Sequence, residues 1–275
     1  MTHRHYPAHP LAIFSTLWQY RQLVWQLTKR DVIGRYRGSL LGFLWSFLHP
    51  IVMLAVYTFV FSVVFKARWG AGEASSRTEF AVMLFAGLIT FNLFSECVNR
   101  APALILSNVS YVKKIVFPLE IMPWVILGAA IFHGFISAGV LIIFFALLHQ
   151  YVPWTVILLP LVWLPLLLFT MGLSWFLAST GVFVRDIGQV VSILTTVMLF
   201  LSPVFYPVAA LPEQYRPWLH LNPLTFILEQ VRNVVIWGFQ PDWPGWALYL
   251  VGSLVVATLG FAWFQKTRRG FADVV

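Results

Sequence analysis

The sequence predicts an all-α, polytopic membrane protein with six transmembrane helices, and its composition and long apolar runs carry that prediction. Hydrophobic residues make up 60% of the 275 residues and charged residues 10%, against about 45–50% and about 25% in soluble domains. The mean hydropathy is +0.81. Because so few polar residues cannot cover a soluble surface, an ordinary soluble enzyme, a disordered chain and a disulfide scaffold are excluded.

An amphipathic helix in the headgroup plane is predicted to follow a cytoplasmic tail within residues 1–39. Between residues 11 and 36, apolar and aromatic residues alternate with basic ones, a pattern typical of interfacial helices. We expect no signal peptide, because a short apolar core followed by a small-residue cleavage site is missing.

Six apolar segments are each long enough to cross a bilayer core, which takes about 20 residues. They are predicted at 40–65, 80–99, 121–148, 154–178, 187–206 and 243–265. The third and fourth come from one uncharged run, 121–184, which we divide at the polar stretch 149–153 that ends in a proline. Each is assigned as a helix because a lone strand in lipid would leave its backbone unpaired.

The distribution of lysine and arginine predicts the orientation. With the N-terminus inside, 13 of the 18 basic residues fall on the cytoplasmic side, as the positive-inside rule requires. Both termini are therefore predicted to be cytoplasmic. The net charge of +8 is attributed to orientation and anionic lipid rather than to nucleic acid, because the basic residues punctuate apolar runs.

The loop 100–120 is predicted to be cytoplasmic and to present a polar, then basic, then apolar surface. Its candidate contact residues for a cytosolic partner are Ser107, Asn108, Tyr111, Lys113, Lys114, Ile115 and Phe117. The alternative is a solvated connector, which an exposed run of Ile, Val and Phe disfavours.

The segment 207–242 holds five prolines and a helical stretch, 224–237, that is too short to span. One interpretation is an external helix on the surface. We favour re-entrant periplasmic helices that line an exit, since irregular backbone at membrane depth is tolerated where it lines a cavity. Glu229 and Arg232, three residues apart on a helix, can form an ion pair and are candidates for a periplasmic gate.

Chemistry-bearing residues are sparse in the spans. No phosphate-binding glycine loop, Cys-x-x-Cys or His-Glu-x-x-His motif occurs, so no catalytic or metal site is predicted. Glu96 is expected to pair with Arg100 or to meet water, because burying a lone carboxylate in a membrane is costly. Aromatic residues near the outer half of two spans can either pack in lipid or stack on sugar rings; they are Tyr57, Phe61, Phe200, Phe205 and Tyr206.

Several stretches resemble the type-2 ABC exporter permeases that move polysaccharides. They are WQLTKRDVIGRYRGSLLG at 25–42, LWSFLHP at 44–50, KKIVFPLE at 113–120, Arg185-Asp186, SPVFYP at 202–207 and LNPL at 221–224. The resemblance covers nearly the whole chain and is strongest to the permeases of O-antigen export, with capsule and teichoic-acid permeases as near relatives.

This resemblance implies a homodimer that forms a pore above two cytosolic ATPase subunits, which would bind the ATP and magnesium. The cargo would be a polysaccharide on undecaprenyl pyrophosphate, moved from cytosol to periplasm across the bacterial inner membrane. Loop 100–120 would couple to the ATPase, and the five aromatic residues would line the glycan channel. Four basic residues would lie at the depth of the lipid pyrophosphate and bind it; they are Lys29, Arg30, Arg35 and Arg37. The alternative is that they only set the orientation of the chain in the membrane.

Two other functions remain as alternatives. A small-molecule efflux permease of the same superfamily would not need the basic residues before the first span. A membrane-embedded acyl- or glycosyltransferase could use His49 or His133, but the spans hold almost no carboxylates to support it.

Overall fold

The computed structural model describes residues 10–64, 77–112 and 117–274, which form helices joined by turns, with no strand in these ranges. The all-α membrane fold is therefore confirmed. Five helical segments are long and apolar enough to cross a bilayer: Gly42–Phe61, Thr78–Ala103, Leu119–His149, Trp154–Phe183 and Trp243–Gly270. The remaining predicted segment forms a shorter apolar helix, Ile187–Leu201. The number of six crossings therefore stays a prediction.

The region predicted as one interfacial helix contains two. Helix α1 (Pro10–Gln19) and helix α2 (Arg21–Gly34) meet at Tyr20, where the backbone leaves helical geometry at ψ 16°. One face of α2 is buried against the rest of the fold and consists of Leu27, Thr28 and Val32. On the other face Trp25 is 69% exposed, as an aromatic residue at a membrane surface would be.

The other ten helices follow in chain order. They are α3 (Trp45–Tyr57), α4 (Arg77–Arg100), α5 (Val109–Val112), α6 (Met122–His149), α7 (Leu159–Phe183), α8 (Ile187–Leu201), α9 (Arg216–His220), α10 (Pro223–Arg232), α11 (Trp243–Thr267) and α12 (Phe271–Val274). Two of them continue as π-helices, α3 through Thr58–Val64 and α10 through Asn233–Trp237. A 3₁₀ turn, Trp154–Leu158, leads into α7.

Helix α4 is the centre of the bundle. In its most apolar 18-residue window 83% of the residues are buried, against 17% for the first crossing segment. Helices α3, α6, α7, α8 and α10 all pack against it. Helix α3 is consequently the crossing helix with the largest open face, available to lipid or to another protein.

Helices α7 and α11 are the most closely packed pair, because two glycines let their backbones come into contact. A Cβ placed on Gly172 would lie 2.5 Å from the carbonyl oxygen of Val256. A Cβ on Gly260 would lie 2.7 Å from the carbonyl carbon of Gly172. Small residues at such a crossing allow the close packing that holds membrane helices together.

Helix α8 ends earlier than the predicted boundary at residue 206. Its last residue is Leu201, and Ser202 and Pro203 follow. Proline lacks a backbone donor and disfavours helical geometry in the residue before it. Only Val191 and Thr195 of α8 are buried, so this helix is held to the bundle by a narrow strip.

Helix α10 is packed among the long helices α4 and α7 rather than on the outside of the fold. Its start is set by Asn222, whose side chain accepts a hydrogen bond from the backbone N–H of Leu224 at 2.9 Å, with Pro223 in the first turn. Its π-helical continuation ends at Gly238, where φ is +73°. The helical stretch predicted at 224–237 is thus present, while its depth in the bilayer stays a prediction.

Candidate functional site

Four charged residues form an ion cluster between the end of α2 and the end of α4. Arg100 binds Asp31 through two parallel hydrogen bonds, Nη2 to Oδ1 at 2.7 Å and Nη1 to Oδ2 at 3.0 Å. It also lies 3.3 Å from Glu96, so the pairing expected from the sequence is confirmed. Arg35 pairs with Glu96 and lies 3.8 Å from Asp31. Two positive and two negative charges therefore neutralise one another at this junction.

A polar cavity of about 570 Å³ lies on one side of this ion cluster, between α3, α4 and α6. Its polar lining includes His49, Asn92, Ser95, His133 and Ser137, together with Arg35 and Glu96 of the cluster. Polar groups at the level of crossing helices are costly unless they serve a function or face water. This cavity, which we call the upper cavity, is a candidate binding space.

Tyr36 and His133 meet at the wall of the upper cavity. The Tyr36 hydroxyl lies 3.4 Å from Nδ1 of His133. Burial raises the pKa of Tyr36, which keeps its phenol protonated, and the tautomer of His133 decides which of the two groups donates. Nε2 of His133 is buried and has no hydrogen-bond partner among the described residues. The predicted membrane-embedded His133 is thus one of the polar groups that a ligand of the upper cavity would meet.

A second cavity of about 490 Å³ lies on the other side of the ion cluster, and we call it the lower cavity. Its polar lining is Arg30, Asp31, Asn99, Arg100, Ser107 and Asn108. Asn99 lines both cavities. The ion cluster therefore separates two polar spaces that share one amide side chain.

The four basic residues predicted at the lipid pyrophosphate do not converge on one point. Arg35 belongs to the ion cluster, and Arg30 lines the lower cavity and donates to the Tyr111 hydroxyl at 2.8 Å. Lys29 and Arg37 are exposed. The role of the four in binding a pyrophosphate stays a prediction.

The described part of the predicted coupling segment comprises Ser107, Asn108, Tyr111 and Phe117; Lys113, Lys114 and Ile115 lie outside the described residues. Ser107 and Asn108 donate to the carbonyl of Leu104 at 3.2 and 2.9 Å, which closes a compact turn. Tyr111 stacks on Phe117 with 4.3 Å between ring centroids. This segment lies beside α2, so the predicted coupling and lipid-binding residues are neighbours in space.

The predicted channel aromatics are partly brought together. Phe205 stacks on Phe200 at 5.6 Å between centroids and lies 6.4 Å from Phe61. Tyr206 donates to the carbonyl of Phe200 at 3.0 Å. Tyr57, like Phe61 and Phe205, packs against the hydrophobic core. Phe200 is 62% exposed, which leaves one face of the cluster open.

Arg232 of the predicted gate is a buried residue that holds three elements together. Its side chain is 4% exposed, and it donates to the carbonyls of Met83 at 3.2 Å and Val204 at 3.0 Å. A Cβ on Gly87 would collide with its guanidinium, so this glycine makes room for it. The predicted ion pair with Glu229, which is half-buried, stays a prediction.

Sequence reasoning missed a polar stripe along α4 and its link to α8. The stripe consists of Asn92, Ser95, Glu96 and Asn99, which recur at helical spacing. Thr195 of α8 donates to the Asn99 side chain at 2.9 Å. The helical spacing of these four polar residues is visible in the sequence and is the signal that identifies the stripe.

The fold and these polar spaces define a multi-pass membrane protein of the transporter class. The sequence profile of the ABC-2 type transporters matches residues 22–236, and the chain belongs to that family. No group of three or more His, Cys, Asp or Glu side chains in the described ranges could hold a metal ion.

Relatives in the same family have names that refer to polysaccharide export. The chain is 29% identical over 267 residues to the O-antigen export system permease protein RfbA of Myxococcus xanthus, covering 96% of this chain and all of that protein. It is 25% identical to an RfbA permease of Klebsiella pneumoniae, with 90% and 93% covered. It is also 25% identical to the polysialic acid transport protein KpsM of Escherichia coli, with 87% and 91% covered.

Proposed function

We propose that this chain is the transmembrane subunit of an ABC exporter that moves an undecaprenyl-pyrophosphate-linked O-antigen polysaccharide from cytosol to periplasm. The names of the O-antigen export relatives and their nearly complete coverage support this assignment. Energy comes from a separate ATPase subunit, and this chain acts as a non-enzymatic conduit in the bacterial inner membrane. Both termini and the coupling segment lie on the cytosolic side, in line with the basic-residue distribution.

The observation that carries the proposal is the polar path at the end of the bundle where α2 lies. The upper and lower cavities together offer amides, hydroxyls, imidazoles and three arginines to a passing molecule. A hydroxyl-rich polymer with an anionic head needs such groups, whereas an apolar drug does not. Polar side chains of this kind are retained at membrane depth where they mark a substrate pathway.

A second copy of the chain completes the conduit in this proposal. Asn92 and Asn99 are exposed on α4, and amides on a crossing helix are costly when they face lipid. The neighbouring helices α3 and α8 also leave broad open faces. A homodimer joined along this side would turn the polar stripe toward a shared path, with the cluster of Phe61, Phe200 and Phe205 farther outward.

Transport into inverted inner-membrane vesicles tests the proposed function. Vesicles containing this chain and its ATPase should take up lipid-linked O-antigen into the lumen when ATP is supplied. Vesicles with the ATPase alone should not. Absence of ATP-dependent uptake by a correctly assembled complex would refute the proposal.

Capsule export is the second candidate, because the capsule relatives also match over most of the chain. The capsule polysaccharide export inner-membrane protein CtrC of Neisseria meningitidis is 24% identical over 266 residues. Uptake of a capsule polymer in preference to O-antigen would assign the chain to this second function.

Cysteine labelling can locate the conduit, since the chain has one cysteine, Cys97, and it is buried. Single cysteines at Asn92, Phe200 and Phe205 should react with water-soluble maleimide and be protected when polymer is trapped. A cysteine at Leu147, which is 69% exposed on α6, serves as the lipid-facing control. Labelling of all four by lipid-soluble reagents alone would place the proposed conduit residues in contact with lipid.

The arginine pair Arg35 and Arg37 tests the predicted pyrophosphate contact. A planar guanidinium can bind a phosphate through two parallel hydrogen bonds, which lysine cannot do. The double variant Arg35→Lys, Arg37→Lys should keep assembly but slow export and raise uncoupled ATPase activity. Arg269→Lys, at the exposed C-terminal end, is the matched control. Normal export by the double variant would leave only the orientation role.

A further inference from the structure

A hydrogen bond ties helix α2 to the coupling segment. Nη2 of Arg30 donates to the Tyr111 hydroxyl at 2.8 Å, and the guanidinium carbon lies 6.0 Å from the centre of the Tyr111 ring. The two residues are 81 positions apart in the chain. Helix α2 carries Lys29 and Arg30, two of the residues predicted at the lipid pyrophosphate, and Tyr111 belongs to the predicted coupling segment, so this bond joins two otherwise separate functions.

Further contacts link Tyr111 to the C-terminal end of the chain. Tyr111 and Phe117 stack nearly in parallel, with 12° between their ring planes. The Phe117 carbonyl accepts a hydrogen bond from Arg268 at 2.9 Å, and Arg268 pairs with Glu120. A displacement of Tyr111 would therefore disturb Phe117 and, through it, the C-terminal end of α11.

The lower cavity provides a candidate anion site beside the Arg30–Tyr111 hydrogen bond. Arg30 lines the cavity together with Asp31, Asn99 and Arg100. The carboxylate of Asp31 is held by two hydrogen bonds from Arg100, which oppose its charge. An anion that reached Arg30 in this cavity would meet a neutralised carboxylate and an exposed guanidinium.

A phosphate would bind the Arg30 guanidinium more strongly than the Tyr111 hydroxyl does. A guanidinium can bind a phosphate through two parallel hydrogen bonds between oppositely charged groups. Tyr111 offers a single neutral hydroxyl oxygen, and its bond with Arg30 is solvent-exposed. A phosphate can therefore reach the guanidinium and compete for it.

We propose that Arg30 is a relay that reports the diphosphate headgroup of a membrane lipid to the ATPase. In the resting transporter Arg30 holds Tyr111 and restrains the coupling segment. A diphosphate in the lower cavity takes over the guanidinium, releases Tyr111 from α2 and frees the coupling segment for ATP hydrolysis. This inference rests on the proposed function and adds to it a mechanism by which cargo controls energy use.

The test measures ATP hydrolysis by the complete permease–ATPase complex in proteoliposomes, with undecaprenyl diphosphate as the probe. The wild-type rate should rise when the probe is added. Tyr111→Phe keeps the stack on Phe117 but removes the oxygen that Arg30 binds. Without probe it should hydrolyse ATP at about the stimulated wild-type rate, and the probe should add little. A low rate with normal stimulation in Tyr111→Phe would overturn the relay.

A double-mutant cycle separates the relay from a merely structural role of Tyr111. Arg30→Gln should raise the probe-free rate as Tyr111→Phe does, and the double variant should match either single one. Additive effects would show that the two residues act independently and would contradict the proposal. Tyr151→Phe, an exposed tyrosine beyond the far end of α6, should behave as wild type. Co-elution of permease and ATPase on gel filtration confirms that each variant assembles.

Soluble inorganic pyrophosphate distinguishes the two sources of a diphosphate. Stimulation by the lipid and not by equal concentrations of the soluble anion assigns the site to the lipid headgroup. Equal stimulation by both would overturn the lipid as the source. Failure of the proposed function is seen separately, because it abolishes polymer uptake into vesicles whether or not the probe changes ATP hydrolysis.

Discussion

Replacing Gly260 by alanine should weaken the contact between α7 and α11. The added Cβ would lie 2.7 Å from the carbonyl carbon and 2.9 Å from Cα of Gly172, and closer still to the carbonyl oxygen. These are backbone atoms and cannot rotate away. Restoring ordinary contacts requires the helices to separate locally, and overpacking of this kind costs about 1–3 kcal/mol.

Gly252→Ala is the matched control, since Gly252 lies on the same helix and a Cβ there would have no atom within 4 Å. This change should stabilise α11 by up to about 1 kcal/mol, because alanine is a better helix former than glycine. The steric cost is then the difference between the two variants. The measurement is the free energy of unfolding by SDS in mixed micelles. Equal stability of the two variants would refute the argument that the backbones of α7 and α11 touch.

Four further variants probe other contacts. Arg232→Ala should lower the free energy of unfolding by about 1–3 kcal/mol in the same SDS titration, because buried carbonyls lose their donor. Arg100→Ala should cost less than about 1 kcal/mol, since the ion cluster is partly solvated, and Arg37→Ala should cost nothing measurable. The double variant Ile115→Asp, Phe117→Asp should insert normally but fail to co-purify with the ATPase; full binding would contradict the coupling assignment.

The long helices and their order were predictable because apolar length is a local property of the chain. The boundary of α8 was misjudged at Pro203, although a proline in that position already disfavours a continuing helix. The pairing of Glu96 with Arg100 was predictable from their spacing of four. These successes and this error all depend on residues close together in sequence.

Contacts between distant residues could not be predicted in the same way. Asp31 and Arg35 join the Glu96–Arg100 pair only because α2 folds against the ends of α4 and α6. Gly172 and Gly260, which meet between α7 and α11, are also far apart in the sequence. No residue flanking either glycine indicates a helix contact there. Arg232 was considered with Glu229 on its own helix, whereas its observed acceptors lie on α4 and after α8. Helix packing decides each of these partners.

The length of α8 has a consequence for the lipid around the protein. Its 15 residues extend about 22 Å at 1.5 Å per residue, while the hydrocarbon core of a bilayer is about 30 Å thick. If α8 crosses the bilayer, as the sequence predicts, it is in hydrophobic mismatch, and the bilayer beside it would thin to meet its ends. Thinner hydrocarbon presents a shorter barrier to polar groups. Acyl-chain length in reconstituted membranes should therefore alter the transport rate, with shorter chains favouring it.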